Sequence, residues 1–289
     1  PLLLLLQYYT KDQVVAVVQS DLCNSRHTRE IWLYYLLMLA RFMATKPRRR
    51  YKIFSGNAEV LLFGRPYDWN ISRHAPNSLV LRRLALVGKR FGLKIILTPR
   101  PSTFNAVICS ESQLTTKIPL SETLTILSGH DADGVALKPG ETFFIGSADC
   151  PTIVATNTKT GLIVASHGGR DCLVDRAYLD GLAPPRRHAS VVEAILKKLQ
   201  AQPGEIKVFI VGGIGVNNFM HKNDGTKKGE SSQRMVAYLR QTYGESVVPG
   251  NIHEGKISLI QLIKAQFLAH GVASENITVA RLNTFKDRN

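Results

Sequence analysis

Apolar residues in this chain arrive either as short unbroken runs or in longer stretches where they recur every three or four positions. "EVLLFG", "LKIILT", "FNAVIC", "ETFFIG", "PTIVAT" and "GLIVAS" are of the first kind. They are short and rich in β-branched or aromatic residues, which predicts strands. "YKIFSG" reads the same way up to its glycine, "IKVFIVGGIGV" as a buried strand entering a glycine turn, and "ENITVARLN" as a final strand. The second kind predicts helices. In "PNSLVLRRLALVGKRFG", Asn77 or Ser78 is the cap, Leu81, Leu84 and Phe91 share a stripe, and Gly92 is the stop. "SVVEAILKKLQ" puts Val192, Ile195 and Leu199 in register ahead of Pro203 and Gly204. "SSQRMVAYLRQTYG" and "ISLIQLIKAQFLAHG" each close on a glycine, the usual residue just past a helix end. Strands and helices mix without strict alternation, so the expected class is α+β, layered around a central pair of sheets. No internal repeat and no long low-complexity linker interrupts this pattern, which predicts a single domain over residues 43–289.

The first 42 residues read differently. "PLLLLL" is too short to span a bilayer and lacks the charged start and cleavage site of a signal peptide. "REIWLYYLLMLARFMA" offers only about ten uninterrupted apolar residues before Arg41. Residues 1–42 are therefore expected to stand outside the functional domain, with Met43, ahead of "ATKPRRR", as its beginning.

Composition changes the picture in two places. The formal net charge of +15 points to anionic partners: nucleic acid, phosphate-bearing metabolites or a membrane surface. The first 42 residues hold four Lys/Arg against three Asp/Glu, so +14 stays with residues 43–289. No RNA- or DNA-binding motif appears, nor the interleaving of arginine and aromatic residues that a stacking platform needs, so nucleic acid stays open as a partner without a motif to carry it. Four cysteines without a pairing pattern do not make a secreted disulfide framework, and a reducing cytoplasm is the expected compartment.

A thiol and an imidazole then stand out at the ends of adjacent apolar runs. Cys150 follows "SAD" and precedes Pro151; His167 ends "GLIVAS" and opens the flexible turn "GGRD". "GHDADG" places Asp131 and Asp133 on a turn just upstream, and Arg170 supplies a guanidinium. Thiolate and imidazole suit Zn²⁺ or Cu, or they form a nucleophile with its base; an inert buried Cys and a structural His remain a third reading. His130 reads as a turn residue, Cys109 and Cys172 as packing, and His188, His221, His253 and His270 as surface residues.

The stretch "HDADGVALKPGETFFIGSADCPTIVATNTKTGLIVASHGGRD" resembles the heart of the YfiH-type laccase-domain family, once called polyphenol oxidases and now regarded as purine nucleoside phosphorylases. The family's order is D-A, then T-A-D-C-x-P-V, a strand, and A-H-A-G-W-R-G. "NSLVLRRLALVGKRFGL", "VFIVGGIGVNNF" and "LIQLIKAQFLAHGVASENITVARLNT" resemble its N-R-x-x-L helix, its glycine turn and its closing segment, so the likeness spans about residues 51–289. The resemblance implies a four-layer α-β-β-α sandwich with mixed sheets and a metal, Zn or Cu, held by His, Cys and His. It implies phosphorolysis of adenosine, inosine, guanosine and methylthioadenosine, together with adenosine deamination, by a monomer or homodimer.

Cys150 and His167 fall on the second and third metal ligands, and Asp133 on the aspartate before the Cys strand. Arg170 stands in place of the family's arginine, one residue short in register and without the Trp before it. The catalytic set is then Cys150, His167, Arg170 and Asp133, with Arg170 and the Gly168, Gly169, Gly213 and Asn217 turns on phosphate and substrate. The chain departs from the family at Thr103, near the place of the first metal His, at Asn217-Asn218 in place of two cysteines, at Met220 in place of Glu, and at Asn283-Thr284 in place of C-T. Two readings compete with this one: a metal-free Cys–His hydrolase or deamidase, and a catalytically degenerate basic protein that binds nucleotides or nucleic acid.

Overall fold

The computed structural model describes residues 2–8, 47, 49–63, 78–100, 103–147 and 149–280. Thirteen strands are described: β1 Leu2–Tyr8, β2 Arg49–Ile53, β3 Ala58–Phe63, β4 Ile95–Leu97, β5 Ile108–Cys109, β6 Thr116–Pro119, β7 Thr125–Ser128, β8 Gly134–Leu137, β9 Glu141–Ser147, β10 Thr152–Asn157, β11 Ile163–His167, β12 Ile206–Val211 and β13 Ile277–Val279. Among the described residues the α-helices are α1 Ser78–Phe91, α2 Arg170–Leu173, α3 Arg176–Leu179, α4 Val191–Leu199, α5 Lys227–Tyr243 and α6 Leu259–Ala269. Among the described residues no helix is long and apolar enough to cross a membrane.

The strands form two mixed sheets, one in the order β2-β3-β1-β9-β4-β7-β6 and the other β13-β12-β10-β11-β8-β5. β1 pairs antiparallel with both β3 and β9. It belongs to the stretch 1–42 set apart above, of which residues 1 and 9–42 lie outside the described ones.

Two-residue periodicity sorts each strand's side chains between two cores. Phe143 and Ile145 of β9, Val60 and Leu62 of β3, Val154 of β10, and Phe209 and Val211 of β12 fill the space between the sheets. Phe144, Leu61, Phe63, Ile96 and Ile126 face the other way, onto Val80, Leu84 and Val87 of α1. On the opposite sheet Ile153, Ala155, Val208 and Ile210 face outward onto α4, α5 and α6. Strands covered on both faces read as continuous apolar runs, which is why the runs were unbroken. The result is the four-layer α-β-β-α sandwich.

Helix ends follow local chemistry. Ser190 caps α4 by accepting from the Glu193 amide, Thr226 caps α5 from Gly229, and Ser258 caps α6 from Gln261. α5 begins a turn earlier than its apolar pattern, because Thr226 is the capping side chain and "KKGE" follows it. Val192, Ile195 and Leu199 are all buried in α4, as their spacing predicts.

Phe143 is fully buried between the sheets. Phe143→Ala is expected to lower unfolding free energy by about 3–5 kcal/mol, whereas Leu182→Ser, at an exposed side chain, should change it by less than about 0.5 kcal/mol. Urea midpoints at unchanged slope check both.

Candidate metal centre

Sheet register brings the chemistry together. In the β10–β11 ladder Thr152 lies opposite His167, and the Gly168 amide donates to the Pro151 carbonyl at 2.8 Å. Cys150 and His167 therefore stand at the ends of neighbouring strands. Asp133 joins them from the start of β8: the His167 amide donates to its carbonyl at 2.8 Å, and its own amide donates to Val107 at 2.9 Å. The short helix α2 follows immediately and turns Cys172 back over His167. Its thiol donates to Asp133 Oδ1 at 3.1 Å and lies 3.3 Å from His167 Nδ1.

The donor atoms that converge are thus those of Asp133, His167 and Cys172, all within 4.8 Å of one another. Cys150 is not in that group. It lies beside it, half-buried, with the Arg170 backbone N–H directed at its sulfur. Cys172, which the sequence alone makes a packing residue, is the group's thiol; its partners sit 39 and 5 positions away in the chain. The signal available in the sequence was the short step from His167 to Cys172 in "HGGRDC".

Burial drives all three donors toward neutrality. It raises the Asp133 carboxyl against the opposing hydrogen bonds from Cys172 and Val107. It pushes the Cys172 thiol up, with the Asp133 carboxylate adding to the effect, and lowers His167 from 6.5 to about 4. Cys150 rises to about 11, first through burial and then through the charge of Asp149. Close packing fixes the imidazole as well: a Cβ on Gly169 would collide with the His167 ring, so only glycine fits there. Phe104 also packs on the ring, with centroids 5.8 Å apart. Thr103, next to it, is exposed and donates its hydroxyl to Asp131 at 2.7 Å.

The remaining residues named from the sequence are placed as follows. Arg170 pairs with both oxygens of Asp171, through Nε and Nη2 at 2.8 Å each, and meets His221 Nδ1 at 3.2 Å through Nη1. Burial raises the Asp171 carboxyl, but the Arg170 hydrogen bonds and the Arg170 and Arg176 charges outweigh it, and its pKa lies below the usual value. His221 is half-buried against Phe219 and Arg170 rather than at the surface, with its pKa lowered from 6.5 to about 4 by burial and by the Arg170 and Arg176 charges. His188 also turns inward, 3.7 Å from Glu193, while His253 and His270 are exposed. Gly213 is buried against Pro151 and Ile260, and the Ile214 amide donates to Asp149, so the glycine turn abuts the Cys150 loop. Asn217 is exposed on the short helical turn that follows.

Arg186 ties these segments together. Its five N–H groups reach five carbonyls: His188 at 2.8 Å, Phe104 at 2.9 Å, Asp171 at 2.7 Å, Cys172 at 3.0 Å and Ala189 at 2.8 Å.

With this geometry in place, comparison with known proteins decides the family. A family model described as multi-copper polyphenol oxidoreductase laccase matches residues 105–289, well over half of the chain. The chain belongs to this laccase family. Among solved structures, YlmD from Geobacillus stearothermophilus superposes with a TM-score of 0.53 at 18% identity, over 78% of each chain. A Neisseria meningitidis protein, NMB0706, of the family DUF152, gives 0.52 at 17% identity over 76% of this chain and 78% of that one. These likenesses support the shared fold. No curated protein matches the chain.

The family description names copper, and the residues present can be tested against it. Thiol, imidazole and carboxylate within bridging distance suit one divalent ion of the zinc type. Electron-transfer copper sites use two imidazoles and a thiolate, and the Asp133–His167–Cys172 group holds one imidazole. The group fits a single ion better than a multi-copper cluster.

Two predictions follow from this geometry. Lysine has three donors for the five carbonyls of Arg186, so Arg186→Lys should cost about 2–4 kcal/mol of stability, and Arg187→Lys, at an exposed position, under about 0.5 kcal/mol. Stability should also fall in acid. The unfolded chain protonates its histidine near 6.5 and the folded His221 only near 4. The unfolded state therefore binds more protons between those values, and the stability present above them is lost as pH falls through the window. His221→Asn should make that decline shallower in thermal melts across it.

Proposed function

We propose that this chain is a metal-assisted purine nucleoside phosphorylase, acting on adenosine, inosine, guanosine or methylthioadenosine, with adenosine deamination as a second outcome at the same centre. The observation that carries the reading is the convergence of Asp133, His167 and Cys172 at 4.8 Å or less. Zn, or Cu in its place, would be held by those three side chains, with Cys150 at their edge. A divalent ion bound there supplies electrophilic polarisation and lowers the pKa of a bound water.

The chain's own residues supply the rest. His167, neutral at pH 7 because its pKa is lowered to about 4, offers a lone pair rather than a charge. Asp133 accepts the Cys172 thiol hydrogen at 3.1 Å, which orients the sulfur toward the place an ion would take; the thiol would give up that hydrogen on binding it. Arg170 lies near Cys150 with its paired N–H fork on Asp171, so a phosphate would reach that fork by exchange with the carboxylate. The positive net charge raises the local concentration of phosphate.

The metal-free Cys–His hydrolase fares worse on the same contacts. A nucleophilic cysteine needs a stabilised thiolate. Here the Cys172 thiol gives its hydrogen to Asp133, is fully buried and has its pKa pushed up. Cys150 is held near 11.

Protein purified without chelator should carry close to one equivalent of zinc or copper by elemental analysis. Cys172→Ala and His167→Ala should each lower metal affinity at least about tenfold. A nucleoside panel with and without phosphate, read by chromatography for free base and for inosine, should show phosphate-dependent release of base that is lost in both variants. Turnover that survives complete removal of metal would overturn the reading.

A further inference from the structure

We infer that the outer face of α1 is a docking surface for a nucleic-acid duplex, which it grips by the phosphate backbone without reading the bases. Residues 78–94, α1 and the turn that follows it, hold five Lys/Arg and no Asp/Glu. Val80, Leu84 and Val87 commit one stripe of the helix to the core. Arg82, Leu86 and Lys89 form a second stripe, and between it and the β6–β7 turn runs a groove of about 910 Å³. The groove has its second wall because position 88 is glycine. A Cβ there would stand 2.2 Å from Leu124 Cδ2, so only glycine lets the turn close against the helix.

Charge selects the occupant. Arg82, Lys89 and Lys94 are exposed in the groove, and among the described residues their side chains make no ion pair or hydrogen bond. Cations elsewhere on the surface are engaged: Lys138 with Glu111, Lys159 with Glu205, Arg234 with Asp180 and Lys256 with Glu254. A single carboxylate, Glu122, lines the groove against the three cations, and the same wall adds the hydroxyls of Ser121 and Thr123. Arginine, lysine, serine and threonine are the side chains that hold nucleic-acid phosphates. A basic stripe along one helix of a chain with a pI of about 9.8 is the electrostatic footprint of such binding.

The rest of the lining excludes the neighbouring choices. Among the described residues no aromatic ring lines the groove, so an unstacked base finds no platform there and a duplex suits it better than a single strand. An acidic peptide needs apolar anchor pockets, but Leu93 and Leu124 are buried in the core and Leu86 is half-buried. Arg82 and Lys89 lie two helical turns apart, about 10 Å along the axis, which spans about three base-pair steps of a duplex. The groove belongs to the helix layer of the first sheet, whereas Asp133, His167 and Cys172 come from the second sheet and α2. The inference therefore stands apart from the metal reading.

A fluorescent DNA duplex of about 20 base pairs is the probe, followed by anisotropy with the full chain between about 50 and 200 mM salt. The wild type should bind with a Kd on the order of 10⁻⁶–10⁻⁴ M near physiological salt, alike for two unrelated sequences. Arg82→Gln, Lys89→Gln and Lys94→Gln should each flatten the slope of log affinity against log salt by about 0.9, the contribution of one phosphate, and the triple variant by about 2.7. Combining Lys52→Gln, Lys207→Gln and Lys227→Gln removes the same charge from exposed positions elsewhere and should leave the slope within about 0.5 of the wild type. Glu122→Gln should tighten binding about threefold by removing a like charge from the path of the phosphates. EDTA at constant ionic strength should change nothing, which separates failure here from failure of the metal reading. The inference falls if the duplex does not bind, if the two triple variants flatten the slope equally, or if one sequence is strongly preferred. It also falls if poly-glutamate or phosphatidylserine vesicles displace the duplex at equal charge, which would make the partner an acidic protein or a membrane. Should the groove triple variant fail to fold, the single variants and Glu122→Gln decide the matter.

Discussion

One guanidinium sets the spacing on which the rest of the centre depends. The five donors of Arg186 are fixed in a plane, and each is taken by a carbonyl from one of three segments: residue 104, residues 171 and 172, and residues 188 and 189. Phe104 and Ala106 adopt φ of +52° and +59°, a conformation that costs a non-glycine residue about 1–3 kcal/mol and persists only where the surroundings over-determine it. The bond from Arg186 to the Phe104 carbonyl is part of that determination. It keeps the Phe104 ring against His167, while the bonds to Asp171 and Cys172 hold the helix that delivers the thiol. A burial penalty lowers the Arg186 pKa, yet every N–H is satisfied, the condition under which a buried charge is tolerated.

The second constraint is register. Asp133 contributes through its backbone before its carboxylate does anything: its amide meets Val107 and its carbonyl receives both the His167 amide and the Ser166 hydroxyl. A one-residue slip of β11 on β8 would turn His167 to the opposite face. The α2 thiol would then meet no imidazole. The convergence is thus a property of the sheet ladder, tightened by one short helix, and not of any local motif.

Legibility in the sequence tracks these causes. Strands covered on both faces announce themselves as apolar runs, and helices above two turns show their stripe, so β3, β9, β10, β11, β12, α1, α4 and α6 were readable. The hairpin β6–β7 was not, because "TKIP" and "TILS" are short and interleaved with polar residues. α2 and α3, with four residues each, are shorter than any periodicity that could reveal them. Cys172 was hidden for that reason: its role exists only once α2 folds it back over His167. Arg186 sat in "PPRRH", which looks like a solvated charge run; nothing in the sequence separates it from exposed Arg187 beside it. His167 and Asp133 could be found because each ends or begins a strand, where a polar residue has no packing reason to be.

Charge beside the centre follows from the same arrangement. A net charge of +15 suggests open cationic groups awaiting an anion, but the arginines next to the buried donors are internally engaged. Arg170 holds Asp171 through two bonds, Arg176 lies 3.8 Å from the same carboxylate and donates to Ser231, and Arg186 is saturated. Paired guanidinium–carboxylate contacts of this kind are among the stronger polar interactions. The centre therefore presents a buried donor set beside a locked ion pair. If Arg170 is to hold an anion, that anion must take the place of Asp171, whose Oδ1 also lies 3.8 Å from Arg176. Entry of an anion and rearrangement of the α2 start would then be one event, at the helix that also carries Cys172.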